Sequence, residues 1–89
     1  MENSIQIKEK IKQFILMASY ISDDQINNET LIFVEGIMDS MGFMSLISFI
    51  EETFSITAND DDLLETNFES IEAIAGFVTK KLNQSLIAV

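Results

Sequence analysis

Asp39-Ser40-Met41-Gly42-Phe43-Met44-Ser45-Leu46-Ile47-Ser48-Phe49-Ile50-Glu51-Glu52-Thr53-Phe54 occupies residues 39–54 of an 89-residue chain, and the fold turns on it. Asp39 suits a helix N-cap, because its carboxylate can accept backbone N–H groups that the first turn leaves without partners. Behind it, Phe43, Leu46, Ile47, Ile50 and Phe54 recur at the three- and four-residue spacing that lines up one stripe of an α-helix. Met41, Met44, Ser45, Ser48 and Glu52 fall away from that stripe. The segment predicts an amphipathic helix from Asp39 to about Phe54, with an apolar core face and a mixed outer face.

On the N-terminal side, Ile7, Ile11, Phe14, Ile15 and Ala18 predict another amphipathic helix, ending near Tyr20 before the polar run Ser22-Asp23-Asp24. Residues 20–38 read as a long connection, with Leu31, Ile32, Phe33 and Val34 expected to fold back over the core. On the C-terminal side, Asn59 and Asp60-Asp61-Asp62 mark a turn into a short third helix of about residues 61–66. Ser70 is placed to cap a last helix whose Ile71, Ile74, Ala75, Val78 and Leu82 share a face. Lys80 and Lys81 are expected in its last turn, where cations complement the helix dipole. No repeat, linker or low-complexity tract interrupts the chain. The expectation is an all-α, four-helix bundle of three main helices and one short one, a single domain over 1–89 with its core in about 4–83.

Composition narrows the chemistry. The chain has no His, Cys, Trp, Pro or Arg. Without Cys there is no disulfide, thiolate nucleophile or thiolate metal site. Without His the usual base near neutral pH and the commonest transition-metal ligand are both missing. Carboxylates and lysines are what remain for catalysis, so no catalytic residue is assigned, and any thiol chemistry needs a thiol added after translation. The net charge is −10, and thirteen acidic residues lie between Lys12 and Lys80 with no basic residue among them. That sign opposes nucleic-acid binding and favours basic surfaces on partners, although acidity also serves solubility. No apolar run approaches the ~20 residues needed to span a bilayer. Met1-Glu2-Asn3-Ser4 lacks the features of a signal peptide, so a cytoplasmic location is expected.

The stretch Gly36-Ile37-Met38-Asp39-Ser40-Met41 resembles the signature of the acyl carrier protein family, which includes the peptidyl carrier domains of nonribosomal synthetases. That signature is an Asp-Ser pair followed by Leu or Met at the start of the second helix. The Asp-Ser dipeptide by itself is no more than an ordinary helix cap. Its setting extends the likeness over nearly the whole chain: Gly36 upstream, residues 46–56 behind it, then Asp60-Asp61-Asp62-Leu63-Leu64 and Phe68-Glu69-Ser70-Ile71-Glu72-Ala73-Ile74. The resemblance implies a 4′-phosphopantetheine arm, derived from coenzyme A and attached at Ser40, with Asp39 as cap and motif residue. It implies a partner-binding face of Met41, Met44, Ser45, Ser48, Glu51 and Glu52. The implied partners are a phosphopantetheinyl transferase, an acyl- or aminoacyl-loading ligase or adenylation enzyme, and a downstream synthase, oxidase or transferase. A monomer is expected.

Helical chemistry agrees with that assignment. A serine in a helix's first turn is exposed, and the free N–H groups there favour a nearby anion such as a phosphodiester. Methionines suit a surface that must accept several partners, because they repack readily; on a small helix they also serve as core filler. Asp60-Asp61-Asp62 lacks the alternating ligands and central glycine of a calcium loop, so no metal site is expected. Carriers of fatty-acid synthesis usually follow the serine with Leu-Asp, whereas Met41-Gly42-Phe43 follows here. Ser45 stands where such carriers often place an acid, and Ser55 where many have glycine. These departures resemble a specialised stand-alone carrier of aminoacyl or secondary-metabolite type. An unmodified adaptor that uses the same acidic face is the alternative.

Overall fold

Asn3 caps the first helix, α1 (Ser4–Ala18). Its side chain accepts the Gln6 N–H at 2.9 Å while the Gln6 side chain accepts the Asn3 N–H at 3.1 Å, so two first-turn donors are satisfied reciprocally. The computed structural model describes residues 3–87; Met1, Glu2, Ala88 and Val89 of the expected 1–89 domain lie outside the described residues. Ile7, Ile11 and Ile15 are buried, Phe14 is half-buried, and Ala18, expected on the core stripe, is exposed. The helix stops at Ala18 rather than near Tyr20. There the Ser19 hydroxyl donates to the Ile15 carbonyl at 2.7 Å, and the backbone turns extended.

The connection over residues 19–39 is stitched to the far end of the chain. The Ile32 N–H donates to the Glu69 carbonyl at 2.9 Å, and the Glu72 N–H donates to the Asn28 carbonyl at 2.8 Å. The Ile32 carbonyl in turn accepts from Ile37 N–H (2.9 Å) and Met38 N–H (3.1 Å), which fixes the approach to the next helix. Gly36 permits this path by taking a left-handed φ of 73°. A 3₁₀ turn at Asp23–Gln25 lies within the connection. The run 31–34 does not cover the core as a block. It coils through successive turns that aim its side chains in different directions: Ile32 is fully buried and Phe33 half-buried, while Leu31 and Val34 are exposed.

The second helix, α2 (Ser40–Phe54), starts and stops where the sequence predicts, with Asp39 as N-cap. Leu46, Ile47, Ile50 and Phe54 are buried and Phe43 is half-buried. Ser55 ends the helix in the left-handed region (φ 55°, ψ 46°), the conformation that makes glycine the usual residue at such a terminus.

The third helix departs from expectation. Residues Asp60–Asp62 form a 3₁₀ turn, and helix α3 is confined to Glu65–Phe68 rather than 61–66. Asp62 bonds back to the Asn59 N–H at 2.9 Å; such local side-chain bonds compete with helix propagation. The last helix, α4 (Ile71–Ile87), is capped by Ser70, whose Oγ accepts the Ala73 N–H at 3.1 Å. Because α4 runs to Ile87, Lys80 and Lys81 lie in its interior and not in its last turn. Ile71, Ile74, Ala75 and Val78 are buried and Leu82 half-buried.

The helices pack α1 against α4 and α2, and α3 against α4, with no strand among the described residues. The core also takes in Ile26, Met38, Ile56, Phe68 and Phe77. A chain of ring contacts crosses it: Phe33 to Phe43 (5.6 Å), Phe43 to Phe68 (5.4 Å) and Phe68 to Phe77 (4.9 Å). Near-perpendicular and tilted rings at these separations suit the aromatic quadrupole.

Candidate functional site

Asp39 has extended backbone (φ −103°, ψ −172°), and its Oδ1 accepts the Gly42 N–H at 2.9 Å. This leaves Ser40 as the first residue of α2, exposed, with its hydroxyl making no hydrogen bond among the described residues. The cap carboxylate faces into the helix turn and the serine faces out. The two residues therefore have separate tasks: Asp39 fixes where the helix begins, and Ser40 presents a hydroxyl at its positive end.

Beside Ser40 lies an open cleft of about 410 Å³ lined by Phe33, Met38, Phe43 and Leu63, with Asp39 and Glu65 at the same site. On the other side of Met38 and Asp39, a second cleft of about 390 Å³ runs along residues 18–21, Gly36, Ile37 and Gly42. Met38 is buried and borders both. Gly42 makes room for it, since a methyl at Gly42 would collide with the Met38 Cγ. Phe33, Met38, Leu63 and Glu65 were not legible as site residues from sequence. Phe33 and Met38 come from the α1–α2 connection, Leu63 from the α2–α3 connection and Glu65 from the start of α3; the available signal was their closeness in the chain to Ser40 and to the acidic turn.

The outer face of α2 is open. Met41 and Met44 are 79% and 62% exposed, and Ser45, Ser48 and Glu52 are exposed beside them. Glu51 differs from its neighbours: it is half-buried, and its Oε2 accepts the Ala58 N–H at 2.9 Å. Its carboxylate serves the loop after α2, which separates it from the exposed set with which the sequence groups it.

Three lysines form ion pairs elsewhere: Lys8 with Glu72 (2.8 Å), Lys81 with Asp62 (2.6 Å), and Lys12 with Asp23. The Asp23 hydrogen bond raises the Lys12 pKa, and the Lys81 hydrogen bond, backed by the Asn59 N–H, lowers that of Asp62. None of these three pairs uses an acid of α2, so they leave the charge of the Ser40 end in place.

Residues 9–78 match the model of the phosphopantetheine attachment site family. The chain belongs to that family. The match covers most of the chain and contains the whole of the Asp39-Ser40 turn. Proteins of this family hold a covalently attached 4′-phosphopantetheine and act as carriers, generally without catalysis of their own; they meet a phosphopantetheinyl transferase and partner enzymes. The site fits such a group: an exposed, unengaged hydroxyl stands at a helix N-terminus beside an apolar cleft. Comparison with curated proteins finds no match. Among the described residues, no helix is long and apolar enough to cross a membrane.

Proposed function

We propose that Ser40 is the attachment residue, and that the protein holds acyl or aminoacyl groups for partner enzymes in a specialised, secondary-metabolite type of pathway. The observation that carries this reading is the exposed, unengaged Ser40 hydroxyl on the first turn of an Asp39-capped helix, inside the family segment. When bound, 4′-phosphopantetheine supplies the thiol that this cysteine-free chain lacks, and cargo rides on it as a thioester. The chain's own residues bind and present and do not catalyse. Asp39 sets the start of α2 so that Ser40 projects outward. Met41, Met44, Ser45, Ser48 and Glu52 form the docking face, in which the methionines adapt to different partners and Glu52, within an acidic surface, attracts basic ones. The Met41-Gly42-Phe43 sequence after the serine supports a specialised rather than a fatty-acid carrier.

Intact-mass measurement after incubation with coenzyme A and a phosphopantetheinyl transferase tests the assignment. One added phosphopantetheine group is expected, and Ser40→Ala should abolish it. An unchanged mass with several transferases would leave the acidic adaptor as the better reading.

A further inference from the structure

Residues 59–67 form a stretch that is exposed throughout except at Asp62 and Asn67, which are half-buried. Burial therefore does little to hold it, yet Leu63 and Glu65 within it line the cleft beside Ser40. Its hydrogen bonds converge on Asp62. The Asp62 Oδ2 accepts the Asn59 N–H at 2.9 Å, and its main-chain carbonyl accepts from Asn67 Nδ2 and from the Leu64 N–H, each at 2.8 Å. These bonds knot the stretch to itself. An ionic tie leaves it at Lys81 Nζ, 2.6 Å from Asp62 Oδ2, with side-chain exposures of 14% for Lys81 and 24% for Asp62. The Lys81 ammonium also lies 5.8 Å from the centre of the ring of Phe77, a buried residue of the same helix, so the far end of the tie is a helix rather than another loop. A charged hydrogen bond with little solvent access is stronger and less screened than a surface pair, and the lowered pKa of Asp62 accords with it.

We infer that Lys81 is a positioning residue for the arm-bearing site: through Asp62 it anchors the α2–α3 connection to α4 and so holds Leu63 and Glu65 as the far wall of the cleft at Ser40. The inference rests on the carrier reading for its meaning but not for its test. Amide hydrogen exchange by NMR on the full chain reads the wall directly. Lys81→Met keeps the stem against Phe77 and removes the charge. It should raise exchange of the Leu63 and Leu64 amides at least tenfold, leave Leu46, Ile50 and Val78 unchanged, and shift the ring resonances of Phe33 and Phe43. Asp62→Asn should do the same, and Lys81→Arg should restore the wild-type pattern. Unchanged exchange at Leu63 and Leu64 in Lys81→Met overturns the inference. So does an equal rise in the core amides, or failure of Lys81→Arg to rescue, since either would make Lys81 a general prop. The mass gain at Ser40 is measured in parallel on each variant; its absence from the wild type would count against the carrier reading, while the exchange result stands apart.

Discussion

Glycine within a helix is generally less favourable than alanine, so Gly42 calls for a reason. Its φ is not in the left-handed region; the reason is steric, because the side chain of buried Met38 occupies the space a Cβ would fill. Gly42→Ala should therefore destabilise the protein by ~1–3 kcal/mol, the usual range for forcing bulk into a packed site. In a Met38→Ala background, where no Cγ remains to collide, the same change should become neutral or stabilising. Denaturant unfolding of the four proteins closes the cycle, and additive effects would show that Met38 is not the obstacle. Asp39 and Ser40 were readable from sequence because cap chemistry is local: the carboxylate bonds an N–H three residues on. Met38 and Phe33 were not readable. Their place beside Ser40 depends on hydrogen bonds from Ile32 to Glu69 and from Met38 to Ile32, partners that no local pattern announces.

Helices α2 and α4 were legible because each carries a capping residue followed by a regular apolar stripe, Asp39 before one and Ser70 before the other. The stretch after Asn59 lacks such a stripe. Its three aspartates offer competing local bonds, and Leu63 and Leu64 follow at no helical spacing, so the predicted helix gave way to a 3₁₀ turn and one short α-turn. The length of α4 departs from the sequence expectation for another reason: a lysine pair suits a helix terminus, whereas Lys81 is engaged sideways by Asp62. On α2 the two faces make opposite demands. Ile50 is fully buried and Met44 is 62% exposed. Ile50→Ala should cost ~2–5 kcal/mol as a core truncation. Met44→Ala should stay under ~1 kcal/mol, as surface changes generally do, yet slow transfer by partner enzymes. Equal destabilisation in unfolding experiments would contradict this assignment of faces.

The molecule measures 41 × 26 × 19 Å and carries a net charge of −10. At ~0.15 M salt the Debye length is about 8 Å, so acids on one face repel each other while opposite faces scarcely interact. Working against that repulsion are lysine pairs that include Lys8 of α1 with Glu72 of α4, Lys12 of α1 with Asp23 in the following connection, and Lys81 of α4 with Asp62. Salt weakens both the repulsion and the pairs. Glu72 and Asp23 are well exposed at 56% and 72%, so these pairs are strongly screened and contribute little, whereas the excess of negative charge is spread over the whole surface. Repulsion should dominate, and the melting temperature should rise modestly between low and moderate salt. Over the same range, association with a basic partner enzyme should slow, because steering of encounter is the first effect that screening removes. Melting curves and association rates taken on one preparation measure both. A melting temperature that falls with salt would mean that the lysine pairs outweigh the repulsion. An association rate indifferent to salt would shift the docking energy from the acids to Met41 and Met44.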